Sequence, residues 1–454
     1  MKRKNFKLLF LLFFCFIMLT GYQVNVSAEE SLSKNKIQFD LDLKNGTVSV
    51  KAEYEKSNSL GKEFLLNRDF TIKKIVCDGK EINPEKIKKQ ITYDEGYLVN
   101  LYELPNFEKS LKMEYTGFLS GKTGCSPYVK EKISEDFTFL RWETFCYPVF
   151  ANDFKGTLSF LDAPIQTEFI VNVPKDYTAV SPFQLKKETK KGNTTSFVYE
   201  GNTGDFSCAI AKYHILQLPS GEFYFLENMD FEQLSNFVTP IMNTAQNYMN
   251  EHFGKADITE NMKYVTIPSK FGSFAPKNLI YVEEGAFEST FEMRQLIHEF
   301  IHLGWNPKTE RDIQRSRFFD EGFTTYFTAR VLGELLGEET YLSEIKRGKE
   351  NYIKMIQEDE NKFVPIAEYG EYEYGGLSYQ IGPTVLDELS KLVGRETFDK
   401  VTKEFLKKYK NTPVDFEIMK KEYIRLCNNN ELEQFFQDWI FTTKAYGQWI
   451  DKLK

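Results

Sequence analysis

Residues 298–302 read His298-Glu299-Phe300-Ile301-His302. Downstream, a second stretch reads Phe319-Asp320-Glu321-Gly322-Phe323-Thr324-Thr325-Tyr326-Phe327, in which Glu321 is separated from His302 by 18 residues. Side chains four apart share one helix face, so both imidazoles can reach a single ion, and Glu299 between them can touch a water at that ion. Two protein ligands are one short of a catalytic zinc site, which ordinarily takes three and leaves the fourth position open. The interval after His302 is a loop plus a helix start, enough to bring a second helix antiparallel to the first. Alone, Glu321 is a solvated carboxylate favourably placed at a helix start. Beside HExxH it is the third ligand, and one Zn2+ per chain is expected on His298, His302 and Glu321. The alternative is two ordinary core histidines with a chance glutamate. Only four histidines occur in the chain, however, and the others are His214 and His252. Ser289-Thr290-Phe291-Glu292 has the pattern of a capping box and predicts a helix start near Thr290. Phe291, Leu296, Ile297, Phe300 and Ile301 supply an apolar face.

Outward from this motif, helical texture dominates. Phe231, Leu234, Phe237, Ile241 and Tyr248 recur at helical spacings up to Gly254, a fitting C-cap. One β patch interrupts at 264–267 and 278–282, and everything beyond 289 reads as helix with polar loops. Upstream, residues 29 to about 218 read as short strands. Segments 37–43 and 47–54 alternate with period two around Asn45-Gly46, and 71–76 precedes Asp78-Gly79, both turn signals. Segments 169–173 and 209–215 are further strands. Pro219-Ser220-Gly221 marks the change of texture. The expected fold class is therefore an N-terminal all-β domain, 29–218, followed by a mainly helical α+β catalytic domain, 219–454.

The chain has 454 residues and 53.1 kDa, the length of two or three domains. Its 41% hydrophobic and 27% charged residues are those of an ordinary globular protein. A net charge of -8 and a pI near 5.5 leave no basic face for phosphates, so nucleic-acid partners are excluded. Lys2, Arg3, Lys4 and Lys7 precede an unbroken apolar run, 8–19, and then Val26-Ser27-Ala28. This is the pattern of a secretory leader cleaved after Ala28. A retained membrane anchor is the alternative, but the run is short for a bilayer core of about 30 Å. Removing 28 of the 454 residues takes four cations away and leaves 426 residues at a charge of about -12. No later apolar run spans a membrane, so an exported, extracellular product is expected. Cys15 leaves with the leader. Cys77, Cys125, Cys146, Cys208 and Cys427 show no CxxC spacing, which excludes zinc-finger and thioredoxin readings. A Cys125–Cys146 disulfide and five unpaired buried thiols both remain open, and the sequence carries no signal for oligomeric state.

HExxH, 18 residues, and a glutamate inside an E-G-F-x-x-Y-F stretch resembles the gluzincin metallopeptidases of the aminopeptidase N type, which include leukotriene hydrolase. The resemblance runs over most of the mature chain. Leu65-Leu66-Asn67 with 71–79 is similar to that family's N-terminal β domain, 248–254 to the helix that opens its catalytic domain, and 433–439 to the helix that closes it. It implies a thermolysin-like fold for 219–454 and hydrolysis of a peptide or protein substrate, with Glu299 as general base. Tyr379-Gln380-Ile381-Gly382, followed by helical Val385, Leu386, Leu389 and Leu392, resembles the family's Tyr-x-x-Gly helix, 58 residues after Glu321. The resemblance implies that Tyr379 stabilises the oxyanion, a task suited to a neutral phenol. A packing role for Tyr379, with Tyr369, Tyr372 or Tyr374 in its place, is the alternative.

Two departures from the family pattern bear on specificity. The family's Gly-Ala-Met-Glu-Asn strand lines substrate, and its Glu holds the free N-terminal amine. Residues 285–289 are closest by letters but abut the capping box, where no length is left for a strand. Gly272-Ser273-Phe274-Ala275-Pro276 has the better distance to His298 and is taken as the substrate-binding strand. Ala275 then stands in the place of the Glu, and no acid lies between Phe271 and Val282. Secondly, Thr328 stands seven residues past Glu321, where the family often has an acid behind a zinc histidine. The chain also stops near the end of the catalytic domain, where larger relatives add a helical domain, so a more open cleft is expected. Together these features imply a secreted zinc metallopeptidase tolerant of blocked N-termini, behaving as an endopeptidase. The rival readings are an aminopeptidase whose amine-binding carboxylate has moved to Glu143 or Glu288, and a non-catalytic surface-binding protein with a structural zinc. Structural zinc normally has four protein ligands and no adjacent base, which counts against the last.

Overall fold

The computed structural model describes residues 35–57, 60–93, 97–119, 132–151, 165–218, 221–256, 262–276, 278–307, 317–369, 374–410 and 412–451. The leader expected at 1–28, Cys125, on which the alternative of a disulfide to Cys146 turns, and Tyr372 lie outside the described residues.

Alternating segments pair as the sequence predicts. Asn35–Asp42 and Thr47–Glu55 are antiparallel around a turn in which Gly46 has φ +66°. Val48, Val50, Ala52 and Tyr54 point inward while their neighbours face solvent. Phe70–Cys77 and Lys80–Ile82 pair across Asp78 (φ 48°) and Gly79 (φ 80°), two successive left-handed residues that match strand twist. These strands belong to one eight-stranded sheet. Its order is Gln184–Lys191, Thr194–Asn202, Gln166–Pro174, Asn35–Asp42, Thr47–Glu55, Ser110–Phe118, Phe70–Cys77 and Lys80–Ile82. A four-stranded sheet containing Glu63–Asn67 shares its core.

Segment 209–215 is not the single strand its composition predicts. Ser207–Ala211 joins a three-stranded sheet with Thr178–Val180 and Thr138–Arg141. After Lys212, Tyr213–Leu218 joins a different sheet, whose order continues with Gly221–Leu226, Lys263–Ile267 and Leu279–Glu283. Short apolar runs have no period that marks such a break. Phe137, Phe139, Ala209 and Ala211 on one side meet Tyr224, Phe271 and Tyr281 on the other, so β-rich and helical parts share a packed seam.

The remainder is helical, as expected. Helix α1, Phe231–Phe253, is capped by Asp230, which accepts the Gln233 N–H at 3.1 Å, and ends at Gly254 with φ +93°. Four more helices build the site: α2 (Arg294–His302), α3 (Phe323–Leu336), α4 (Glu338–Glu358) and α5 (Gly375–Val393). α2 packs on α3 and on the strand Leu279–Glu283, while α5 packs on α3 and α4. Among the described residues, no helix is long and apolar enough to cross a membrane.

Candidate active site

Helix α2 starts at Arg294, four residues later than the capping box predicts. Ser289 Oγ does accept the Glu292 N–H at 3.2 Å. The chain then makes tight turns, Met293 N to Ser289 O and Arg294 N to Phe291 O, before regular helix sets in. Leu296, Ile297, Phe300 and Ile301 are buried, which leaves His298, Glu299 and His302 on the half-buried face. His298 Nε2 and His302 Nε2 stand 3.1 Å apart.

Glu321 arrives on a single widened helical turn, Phe318–Gly322, that leads into α3. Such π-type turns displace a side chain from regular helical register and recur at functional sites. The buried Glu321 Oε2 lies 3.1 Å from His298 Nε2 and 3.2 Å from His302 Nε2. The three atoms form a nearly equilateral triangle. Tetrahedral ligands of an ion at about 2.0–2.1 Å stand about 3.3 Å apart, so the set fits zinc. Among the described residues these three form the one group of His, Cys, Asp or Glu that could hold a metal.

The electrostatics agree with a cation site. Burial opposes charging His302, but hydrogen bonds and charges from Asp320 and Glu321 outweigh it and hold the imidazole up at about 10. Burial likewise pushes Glu321 up, but both imidazoles prevail and keep it well below the usual carboxylate range. Glu299 is shifted upward by burial, with the imidazoles opposing.

His302 Nδ1 is backed by Asp320 Oδ1 at 3.0 Å, and the side chains of Asn306 (2.8 Å) and Thr324 (3.3 Å) also reach it. An Nδ1–H donated to Asp320 leaves Nε2 free to bind metal. Thr328 instead donates to the Thr324 carbonyl within its own helix, at 2.8 Å. The support for the histidine therefore comes from the residue before Glu321 and not from position 328. On the other side of the carboxylate, Arg317 donates to Glu321 Oε1, and its Nη2 also lies 3.3 Å from the Tyr379 hydroxyl.

Tyr379 reaches this cluster because α5 crosses close to the Glu321 turn at Gly382. Its ring is nearly parallel to that of His298, with centroids 5.9 Å apart. Burial and the Glu321 charge hold the phenol well above its ordinary range, with Arg317 opposing. Tyr369 is buried and Tyr374 precedes α5, and both pack against the catalytic core.

A cavity of about 450 Å³ opens beside His298, Glu299 and Tyr379. Ser273 lines it; Gly272, Phe274 and Ala275 are not in its wall. The segment from Gly272 is an edge beside Leu279–Glu283, joined through two hydrogen bonds between Phe274 and Tyr281 (3.0 and 2.9 Å), and not an extended strand. Gly272, at φ +79°, donates its N–H to Glu283 Oε1 at 2.7 Å, and Ser273 Oγ accepts the Glu283 N–H at 3.0 Å. Phe274 turns its ring to the seam, where the Arg141 guanidinium lies 3.9 Å from its centroid, and Ala275 packs on the catalytic core. Glu143 pairs with Arg141 at 2.8 Å, and Glu288 is solvent-exposed. Glu283, one residue past Val282, does line the cavity.

Residues 282–439 match the model of the peptidase family M1 domain. The helical part of the chain is thus similar to a peptidase family M1 domain. This bears out the resemblance to the aminopeptidase N and leukotriene hydrolase type. Three solved structures share the fold of the M1 domain and of the β-rich part before it. Yeast LTA4 hydrolase is 14% identical over 92% of this chain and 69% of its own, with a TM-score of 0.58. An M1 zinc metallopeptidase from Deinococcus radiodurans is 13% identical over 90% of this chain and 93% of its own, at 0.53. An aminopeptidase A from Legionella pneumophila, crystallised with aspartic acid, is 15% identical over 91% of this chain and 50% of its own, at 0.59. No curated protein matches the chain by sequence.

Several residues around the His298, His302 and Glu321 group were not legible in advance. Asp320 lies beside Glu321 in the sequence, but nothing in the motif marks it as the partner of His302. Arg317 carries a weak signal, an arginine one helical turn before the Glu321 carboxylate. Asn306 carries none, since its place depends on how the chain leaves α2.

Proposed function

We propose that this chain is an exported zinc endopeptidase, divided near residue 218 into a β domain and a catalytic domain, with Glu299 as general base and Tyr379 as oxyanion donor. The observation that carries the catalytic reading is the three-atom ligand set with Glu299 on the same helix face and no fourth protein ligand beside it among the described residues. When bound, zinc supplies a Lewis acid and lowers the pKa of water toward about 7. Glu299 takes the proton of the attacking water and passes it to the leaving amine, for which a raised pKa suits it. The Tyr379 O–H donates to the oxygen that becomes negative, and its high pKa keeps it protonated for that role. Arg317 holds both Glu321 and the Tyr379 hydroxyl in place.

Endopeptidase behaviour is supported by what stands where a free amine would be read. The segment from Gly272 to Pro276 has no acid, and Glu143 already faces Arg141. An unpaired ammonium in a partly desolvated site costs several kcal/mol, so an aminopeptidase cannot do without that carboxylate. One observation favours the aminopeptidase reading, the place of Glu283 in the cavity wall. One peptide with a free and an acetylated N-terminus separates the two. Equal or better cleavage of the acetylated form is expected. A fall in kcat/KM of more than about a hundredfold selects the aminopeptidase, and Glu283→Gln and Glu143→Gln then identify the carboxylate.

A further inference from the structure

Two hydrogen-bond donors in the cavity wall, one nitrogen of Arg294 and the hydroxyl of Thr325, have no hydrogen-bond partner among the described residues. Arg294 stands one turn before His298 on α2, and Thr325 one turn after Glu321 on α3; both line the cavity. The Arg294 guanidinium lies 4.7 Å from the Phe291 ring centroid, and its Nη2 is 3.7 Å from Glu292 Oε2, an ion pair too long for a hydrogen bond. Among the described residues, its buried Nη1 has no hydrogen-bond partner, and neither has the buried Thr325 Oγ1. Neighbouring carboxylates are engaged elsewhere. Glu283 Oε1 accepts the Gly272 N–H, and Glu344 pairs with Arg347. Buried donors are almost always matched by an acceptor, and a guanidinium cannot discharge itself to escape the cost.

We propose that Arg294, assisted by Thr325, is a specificity-determining pair that receives a carboxylate of the bound peptide. This rests on the peptidase reading above. A planar guanidinium edge gives charge-assisted, directional hydrogen bonds to a carboxylate, and a threonine hydroxyl adds a further donor. The carboxylate has two sources, an acidic side chain beside the scissile bond or the free C-terminus of a short peptide.

The test uses the full-length zinc-loaded protein and matched peptides. These carry Glu or Gln at each residue flanking the cut, and a free or amidated C-terminus. At one flanking position Glu is expected to exceed Gln by at least about tenfold in kcat/KM, carried mainly in KM. In Arg294→Gln this ratio falls to within about twofold of one; in Arg294→Lys, which keeps charge without the fork, and in Thr325→Val it is intermediate. Calorimetric binding of the same peptides to Glu299→Gln, which does not depend on turnover, follows the same order. Discrimination between acid and amide C-termini, and not between Glu and Gln, supports the pair with the C-terminus as source. Equal rates for every acid and amide pair in the wild-type protein, or discrimination that survives Arg294→Gln, overturns the inference. Should Arg294→Gln not fold, Arg294→Lys and Thr325→Val decide it by the same ratios. Peptides that are cut without carboxylate preference sink this inference alone. A protein that cuts and binds no peptide at all sinks the peptidase reading, and the inference with it.

Discussion

Gly382 lies against Gly322 so closely that a Cβ built on Gly382 would stand 2.5 Å from the Gly322 Cα. Gly322 follows Glu321, and Gly382 lies one turn after Tyr379. The contact therefore sets the distance between the metal site and the phenol. Gly382→Ala forces α5 away from the Glu321 turn, an overpacking that costs about 1–3 kcal/mol. We expect reduced thermal stability, near-normal zinc content, and kcat lowered by at least about tenfold, since a displacement on the order of 1 Å at a catalytic group is costly. Full kcat in this variant would show that the contact does not position Tyr379.

Glu299→Gln keeps the helix face and the three ligands but cannot accept the proton of water. Zinc content and fold are expected to be unchanged, with hydrolysis reduced by about 10²–10⁴-fold or more. Tyr379→Phe removes a donor used mainly in the transition state, so kcat falls while KM changes little. Steady-state kinetics beside metal analysis checks both variants.

Asp320 holds the far nitrogen of His302, and Arg317 holds the far oxygen of Glu321. Partners of this kind are worth about 10–100-fold in metal affinity. Asp320→Ala and Arg317→Gln should each weaken zinc binding by that order in competition with a chromogenic chelator. Thr328→Val, at the position without such a contact, should not.

The carboxylates around His302 keep it protonated to about pH 10 in the metal-free protein, and zinc needs that nitrogen free. Below that value zinc must displace the proton, which becomes easier as the pH rises, so zinc affinity rises by about tenfold per unit through the neutral range. Calorimetry at pH 7 in buffers of different ionisation enthalpy should find about one proton released per zinc bound. No proton release would mean that His302 is already neutral.

How much could be read beforehand depended on the range of each constraint. The meeting of the three side chains was legible because one helix face fixes His298 and His302, and a motif with its own spacing fixes Glu321. The hairpins at Asn45-Gly46 and Asp78-Gly79 were legible because a turn demands left-handed residues. The late start of α2 was not, because one half of a capping box, Ser289 to Glu292, forms as well on a tight turn as on a helix. The break at Lys212 was not, because two strands in different sheets share one apolar run. Thr328 marked the loss of the usual support for a zinc histidine, but its replacement by Asp320 was not legible, since support for a ring nitrogen depends on approach angle, which the widened turn at Phe318–Gly322 changes.

The central claim is a peptidase that works through one zinc on His298, His302 and Glu321. Its most direct test is elemental analysis of the purified protein together with peptide cleavage before and after chelation. The account predicts one zinc per chain, cleavage lost on zinc removal and restored by zinc, and neither metal nor cleavage in Glu321→Ala. Metal-free protein that still cuts peptides would contradict it.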